Sequence, residues 1–252
     1  MRLASLTCSN TEILAALGLL EDLVAVDGHS DVPGLERAVR LGPDLAIQTG
    51  LLAASRPDLV LASLSVPGME RVVQQVGRLG FDQLTLDPVR LSDVWGDVLE
   101  VGAVLGRFQL AAQLVAAWRA ELSELAGEVL GALAGWRPRV AVEWWPRPVI
   151  VAGGKSWVSD LVSGLGAQLV PDAPHRRSLP LTPSDLGEAA PDLLVLSWCG
   201  VKRTRPEVVG RRGIALKRVA VIPESALGRP GPRLLEGARA LAAELRVLAA
   251  LA

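Results

Sequence analysis

The chain has 252 residues, half of them hydrophobic, enough to bury a core in one large domain or two small ones. Its 26 Lys and Arg against 27 Asp and Glu leave a net charge of -1, which supplies no field to concentrate nucleic acid or anionic lipid. Every long apolar run is interrupted by Arg, Asp or Glu before it reaches the roughly 18 uncharged residues of a membrane helix.

From the start, short apolar runs alternate with amphipathic stretches. Arg2–Leu6, Leu23–Val26, Leu59–Ala62 and Gln83–Leu86 predict strands, and Thr11–Leu17 and Glu70–Leu79 predict helices. Ser9 with Glu12 three residues on has the form of a capping box for the first helix, which ends toward Gly18. No h-region or cleavage site precedes the first strand, so the location expected is extracytoplasmic (periplasmic) if a signal has been removed and cytoplasmic if Met1 is the native start. Cys8 and Cys199, each in apolar strand-like sequence, read as two free thiols more readily than as a bridge.

Residues 92–134 contain no proline and repeat Leu, Val, Ala and Trp at helical spacing. Gly106 divides this stretch into a helix near 92–105 and a longer one near 108–133, which spans about 40 Å at 1.5 Å per residue. A second α/β series follows Arg137-Pro138-Arg139, with strands near Val140–Glu143, Leu193–Ser197 and Val219–Ile222 and helices near Trp157–Leu165, Thr182–Ala189 and Leu234–Leu248. The fold class predicted is α/β: two lobes, each a small, mainly parallel sheet flanked by helices, joined by one long backbone helix. The divisions are an N-terminal lobe at 1–105, the helix at 106–135 and a C-terminal lobe at 136–252.

An internal echo links the two series. Arg56-Pro57-Asp58-Leu59-Val60-Leu61-Ala62-Ser63 resembles Ala190-Pro191-Asp192-Leu193-Leu194-Val195-Leu196-Ser197, each after a short helix. Ligands of open α/β sheets sit beyond the carboxyl ends of strands, so Ser63 and Ser197 mark loops that face one cleft. Pro-Asp before an apolar run is also common punctuation, and that plainer explanation stays open.

The chemistry is bounded by what the chain lacks. With two histidines, His29 and His175, a three-histidine zinc site is impossible, and with no tyrosine there is neither phenolate capture of ferric iron nor a tyrosine-ligated haem. His29 in His29-Ser30-Asp31 reads as a surface or cleft-wall residue before a metal ligand. Gly153-Gly154-Lys155-Ser156 lacks the leading glycine of a phosphate-binding loop, with Val149 in its place, and reads as a tight turn capped by Ser156. No Gly-x-Ser-x-Gly elbow occurs, and no carboxylate pair stands out for acid-base work. Glu143-Trp144-Trp145-Pro146-Arg147-Pro148 does stand out. Adjacent tryptophans ending a strand point to opposite faces, so at least one indole leaves the core and offers a broad apolar surface at the loop; Trp198 is placed similarly. Trp95, Trp118, Trp136 and Trp157 read as helical or domain-junction packing.

Several segments, in order, resemble the cobalamin-binding branch of the substrate-binding proteins of ABC importers, in the class with a rigid interlobe helix. Ser5-Leu6-Thr7-Cys8-Ser9-Asn10-Thr11-Glu12 running into Ala16-Leu17-Gly18 is similar to the family's first strand, cleft loop and helix. Val26-Asp27-Gly28-His29-Ser30-Asp31-Val32-Pro33 is similar to its next loop. Pro57-Asp58-Leu59-Val60, Val142-Glu143-Trp144-Trp145, Ala152-Gly153-Gly154-Lys155-Ser156 and Gly231-Pro232-Arg233-Leu234 continue the match. The resemblance implies a non-enzymatic capture protein that holds cobalamin, a related corrinoid or, as a variant, a ferric siderophore or other metal chelate, delivers it to an ABC permease and ATPase, and acts as a monomer without a resident cofactor. The ligand-binding residues it suggests are Cys8, Ser9, Asn10, His29, Ser30, Asp31, Trp144, Trp145 and Trp198, with Lys155 as a cation for an acidic chelate beside Arg176 and Arg177. Leu64 is a further ligand-binding candidate, near the place where the family carries an aromatic. Permease docking falls to Glu70 on the N-terminal lobe; on the other lobe Ser184 replaces the family's glutamate, leaving Asp185. A cytoplasmic ligand-binding protein on the same scaffold, without a permease, is the alternative outside transport; an enzyme using cleft carboxylates is a third.

Overall fold

The computed structural model describes residues 1–201 and 203–251. The chain divides into two compact units, Met1–Pro88 with Asp93–Val115 and Pro230–Pro232, and Val89–Ser92 with Ala116–Arg229 and Arg233–Ala252.

The first unit is built on β1 (Leu3–Ser5), α1 (Cys8–Ala16), β2 (Leu23–Val26), β3 (Val39–Arg40), α2 (Thr49–Ser55), β4 (Leu59–Ser63), α3 (Met69–Gly77) and β5 (Asp82–Leu86). All strands are parallel, in the order β3-β2-β1-β4-β5. β1 is buried on both faces, as a central parallel strand covered by helices must be, and its Leu-Ala-Ser is uniformly small or apolar for that reason. Ala4, Leu6, Ala25, Val60 and Ala62 pack with Leu52 of α2 and Val72 and Val76 of α3, whose spacing places them on one helical face. Each large side chain buried this way contributes about 2 kcal/mol.

Two helices follow, α4 (Leu91–Val104) and α5 (Phe108–Leu133), separated at Gly106, which takes φ +69. That left-handed turn is the break expected from the sequence. Gly102 allows the next helix in close: a Cβ there would strike Ala111.

The second unit holds β6 (Arg139–Pro146), β7 (Val149–Ala152), α6 (Trp157–Gly164), β8 (Gln168–Leu169), β9 (Ser178–Leu181), α7 (Pro183–Glu188), β10 (Leu193–Leu196), α8 (Glu207–Gly210), β11 (Arg218–Val221), α9 (Glu224–Leu227) and α10 (Leu234–Ala250). The strand order is β11-β10-β6-β7-β9, with β8 also on β6. β10 and β11 run parallel to β6, whereas β7 returns antiparallel and makes a hairpin. The sequence pattern puts the core of the first strand at Val140–Glu143 with the tryptophans at its end; the strand runs on through Trp144 and Trp145 to Pro146, with a register irregularity between Glu143 and Trp145. Large aromatics suit an exposed hairpin as well as a strand end; Pro146 closes β6 opposite Val149, and Pro148 occupies the turn.

The internal echo is a structural repeat. Arg56 (φ 45) and Ala190 (φ 40) both take left-handed conformations after α2 and α7. Asp58 accepts the backbone N–H of Arg2 at 2.7 Å, and Asp192 that of Arg139 at 2.8 Å, at the starts of β1 and β6. The Arg2 and Arg139 guanidinium groups then donate to the carbonyls of Arg56 (3.0 Å) and Ala190 (3.1 Å). Pro-Asp is thus more than punctuation: the aspartate locks a central strand to its neighbour.

The cap of the first helix needs correction. Thr7, not Ser9, is the N-cap, its hydroxyl accepting from the Asn10 N–H at 3.3 Å. Ser9 lies inside the helix, because Thr7 is the last residue with extended backbone (φ -146) and an oxygen within reach.

Candidate functional site

In the first unit, the C-terminal ends of β1 and β2 carry a buried hydroxyl network centred on Asp27, which is fully buried. One carboxylate oxygen accepts a short hydrogen bond from Ser30 Oγ; the other accepts from the His29 N–H at 2.8 Å and from Cys8 Sγ at 3.7 Å. Ser30 Oγ lies 2.7 Å from Thr11 Oγ1, which donates to Ser5 Oγ at 2.8 Å. Arg40 straps the loop from outside by donating to the Ser30 carbonyl at 2.6 Å. A buried carboxylate needs donors, and this one recruits its own loop.

The network sorts the candidates of this unit. Cys8, Ser9, Asn10, His29, Ser30 and Asp31 are brought to one end of one sheet. Ser9, Asn10 and Ser30 are buried: Asn10 Nδ2 donates to the Ala62 carbonyl at 3.0 Å, and Ser9 Oγ meets Thr7 Oγ1 at 3.2 Å. These three brace the loops, whereas His29 and Asp31 are exposed and Cys8 is partly so. Leu64 is half-buried just past β4, its N–H bonded to the Leu86 carbonyl at 2.8 Å. Sequence reasoning missed Asp27 as the organising group, although an aspartate directly after the buried Leu23–Val26 run was the available signal. A depression bounded by Arg2, Leu23, Val39, Leu51 and Ser55 lies at the strand starts, the end of an α/β sheet that ligands do not use.

In the second unit, Glu143 is fully buried at the end of the parallel part of β6. Arg212 grips it with Nη1 at 2.5 Å and Nη2 at 2.9 Å, and Trp198 Nε1 donates at 2.8 Å. Trp198 therefore corrects an expectation. It is 5% exposed and packs in the core with Leu196 and Val209, because its indole N–H satisfies a buried carboxylate. Trp145 is 39% exposed, with its Nε1–H held by the Arg147 carbonyl at 3.0 Å. Trp144, at the register irregularity of the strand, is half-buried. No spacing in the sequence pointed to Arg212, which sits in Gly210-Arg211-Arg212-Gly213 far from Glu143 along the chain.

The Gly153–Ser156 turn is structural. The N–H groups of Gly153, Gly154 and Lys155, which a phosphate loop would aim at its ligand, donate instead to the carbonyls of Arg177, Ala173 and Arg176 at 2.9–3.0 Å. A Cβ on Gly153 would collide with the Arg176 carbonyl. Ser156 caps α6 by accepting from the Ser159 N–H at 3.2 Å. The turn and its partner segment leave Lys155, His175, Arg176 and Arg177 exposed together.

Glu70, in the first turn of α3, is exposed and accepts the Gly68 N–H at 2.9 Å. Asp185 completes a capping box with Thr182 at the start of α7, and the hydrogen bonds from Thr182, its backbone N–H first, hold the carboxyl below the usual carboxylate range. Ser184 beside it is exposed. Trp157 donates to the Leu227 carbonyl at 2.8 Å, and Lys217 Nζ lies 4.8 Å from the centre of the Trp136 ring. Among the described residues, Cys8 and Cys199 form no disulfide, no three His, Cys, Asp or Glu side chains are grouped to hold a metal, and no helix is long and apolar enough to cross a membrane.

Comparison with known proteins agrees with this architecture. The chain is 27% identical over 250 residues to the uncharacterized ABC transporter substrate-binding lipoprotein YvrC of Bacillus subtilis, covering 96% of this chain and 78% of that protein. It is 25% identical over 169 residues to a vitamin B12-binding protein of Yersinia pestis, covering 66% of this chain and 59% of that protein. The fold matches a periplasmic haem-binding protein of Pseudomonas aeruginosa with a TM-score of 0.81 at 22% identity (98% of this chain, 92% of that one). It also matches the periplasmic vitamin B12-binding protein BtuF of Vibrio cholerae with a TM-score of 0.77 at 20% identity (98% and 97%). A family model described as periplasmic binding protein matches residues 3–215, and the chain belongs to that family.

Proposed function

We propose that this protein is the ligand-binding component of an ABC importer and that its ligand is cobalamin or a related corrinoid. The observation that carries the reading is the Trp144–Trp145 hairpin: an indole 39% exposed yet fixed in orientation, beyond a buried Glu143–Arg212 pair at the carboxyl end of a parallel sheet. A rigid aromatic surface suits a broad, flat macrocycle, since it adds contact area at little entropic cost. The relationship to a vitamin B12-binding protein over 169 residues supports the same ligand class. In the first unit, Cys8 and His29 stand on loops that Asp27 braces at the carboxyl end of that unit's own sheet, with Asp31 exposed beside them. The relatives named above are transport and binding proteins, in keeping with capture in place of catalysis. The protein works outside the cytoplasm as a monomer, needs no resident cofactor because the metal chelate is cargo, and meets its permease and ATPase through Glu70 on the first unit and Asp185 on the second.

A second reading, an acidic metal chelate such as a carboxylate siderophore, is favoured by the exposed Lys155, Arg176 and Arg177. Titration with cyanocobalamin, followed by calorimetry and tryptophan emission, separates the two. Saturable heat with quenching supports the corrinoid, and a silent titration alongside a saturable response to a ferric carboxylate siderophore replaces it.

A further inference from the structure

The segment between β10 and β11 leaves the sheet at Ser197, and Arg212 brings it back. Its first residues extend the pairing with β6: the Ser197 N–H donates to the Glu143 carbonyl at 2.9 Å and the Cys199 N–H to the Trp144 carbonyl at 3.0 Å. The chain then turns at Gly200 (φ +65), where a Cβ would lie 4.0 Å from Cζ3 of Trp145. The Trp145 indole thus has Gly200 beside it and its N–H tied to the Arg147 carbonyl across the hairpin turn. Farther along, Arg212 returns to the interior with a side chain 7% exposed and makes a bidentate pair with Glu143, which is 0% exposed. Val209 and Ile214, on either side of it, join the same core as Trp198.

A buried ion pair is weak evidence for stability, because a well-packed apolar pair of the same volume serves as well. A bidentate guanidinium–carboxylate pair is, however, strongly directional. Here it ties the returning end of a long excursion to the strand residue next to Trp144 and Trp145. We propose that Glu143 and Arg212 form a latch that keeps Cys199 and Gly200 in place beside Trp145 and so sets the pose of the indole before any ligand arrives. Both are positioning residues, and neither touches the ligand. The inference rests on Trp145 being a ligand surface only for its effect on affinity; the pose itself is a property of the free protein.

The test is the double variant Glu143→Gln with Arg212→Met, which removes both charges at nearly constant volume and keeps the fold, whereas Arg212→Met alone leaves a buried charge unpaired. Backbone amide exchange is measured without ligand, together with acrylamide quenching of Trp145, taken as the difference from the same protein carrying Trp145→Phe. Exchange at Cys199, Gly200 and residues 208–212 is expected to rise about tenfold or more while 193–196 stays protected. Trp145 quenching is expected to rise with it, and corrinoid affinity to fall about tenfold, with Arg212→Lys in between. Unchanged exchange and quenching in the double variant overturn the latch whatever the affinity does. A parent protein that binds no corrinoid sinks the functional reading instead, and exchange and quenching still decide the latch.

Discussion

Asp97 makes the stability of this protein fall as pH rises from about 4 to about 7. The residue lies on α4, 9% exposed, with one carboxylate oxygen that finds no hydrogen-bond donor among the described residues. Burial, followed by repulsion from Glu100, Asp93 and Asp87, pushes its carboxyl up from 3.8 to about 7. Between those two values the folded chain keeps a proton that the unfolded chain has released. Stability therefore declines by about 1.4 kcal/mol for each pH unit in that window, with a ceiling of about 4 kcal/mol that solvent screening and local relaxation reduce to about 2 kcal/mol. Below pH 4 both states are protonated and the penalty vanishes. Asp97→Asn removes the titration and keeps the shape. Urea unfolding at intervals from pH 4 to pH 8 should show parent and variant equal at the acid end and the variant more stable by about 2 kcal/mol at pH 8. A stability difference that does not change with pH would refute the reasoning.

Two further perturbations probe separate parts of the structure. Gly153→Ala forces a methyl group against the Arg176 carbonyl, so thermal unfolding should show a loss of about 2 kcal/mol, whereas a stable variant would mean the turn has room that the structure denies it. Cys199 has its thiol pushed up to about 11, first by burial and then by the Glu224 carboxylate. It should resist thiol-disulfide reagents at pH 8 until the chain is unfolded, and rapid labelling of the folded Cys8→Ser variant would contradict that placement.

Much of the fold was legible because its signals are local. The Leu3–Ser5 and Leu193–Leu196 strands are buried on both faces, as parallel strands must be, and Gly106 marks the left-handed break between the two helices of 92–134. The Pro-Asp echo reported a real repeat because the aspartate performs the same hydrogen bond in each unit. The site was less legible because its groups are paired across long separations. Glu143 meets Arg212 sixty-nine residues away, and nothing in an arginine between two glycines distinguishes it from a solvated one. Trp198 reads as a strand-end aromatic like Trp145; only the buried Glu143 carboxylate decides that its indole turns inward. The β6–β7 hairpin was hidden by prolines at Pro146 and Pro148, which punctuate a loop and a hairpin turn alike.

The corrinoid titration tests the central claim most directly. Cyanocobalamin added to the parent protein should give saturable, one-to-one heat with quenching of tryptophan emission, and Trp145→Ala should weaken that binding by about tenfold or more while leaving unfolding unchanged. No heat and no quenching from cyanocobalamin at concentrations where the folded protein is intact, or full affinity retained in Trp145→Ala, would contradict it.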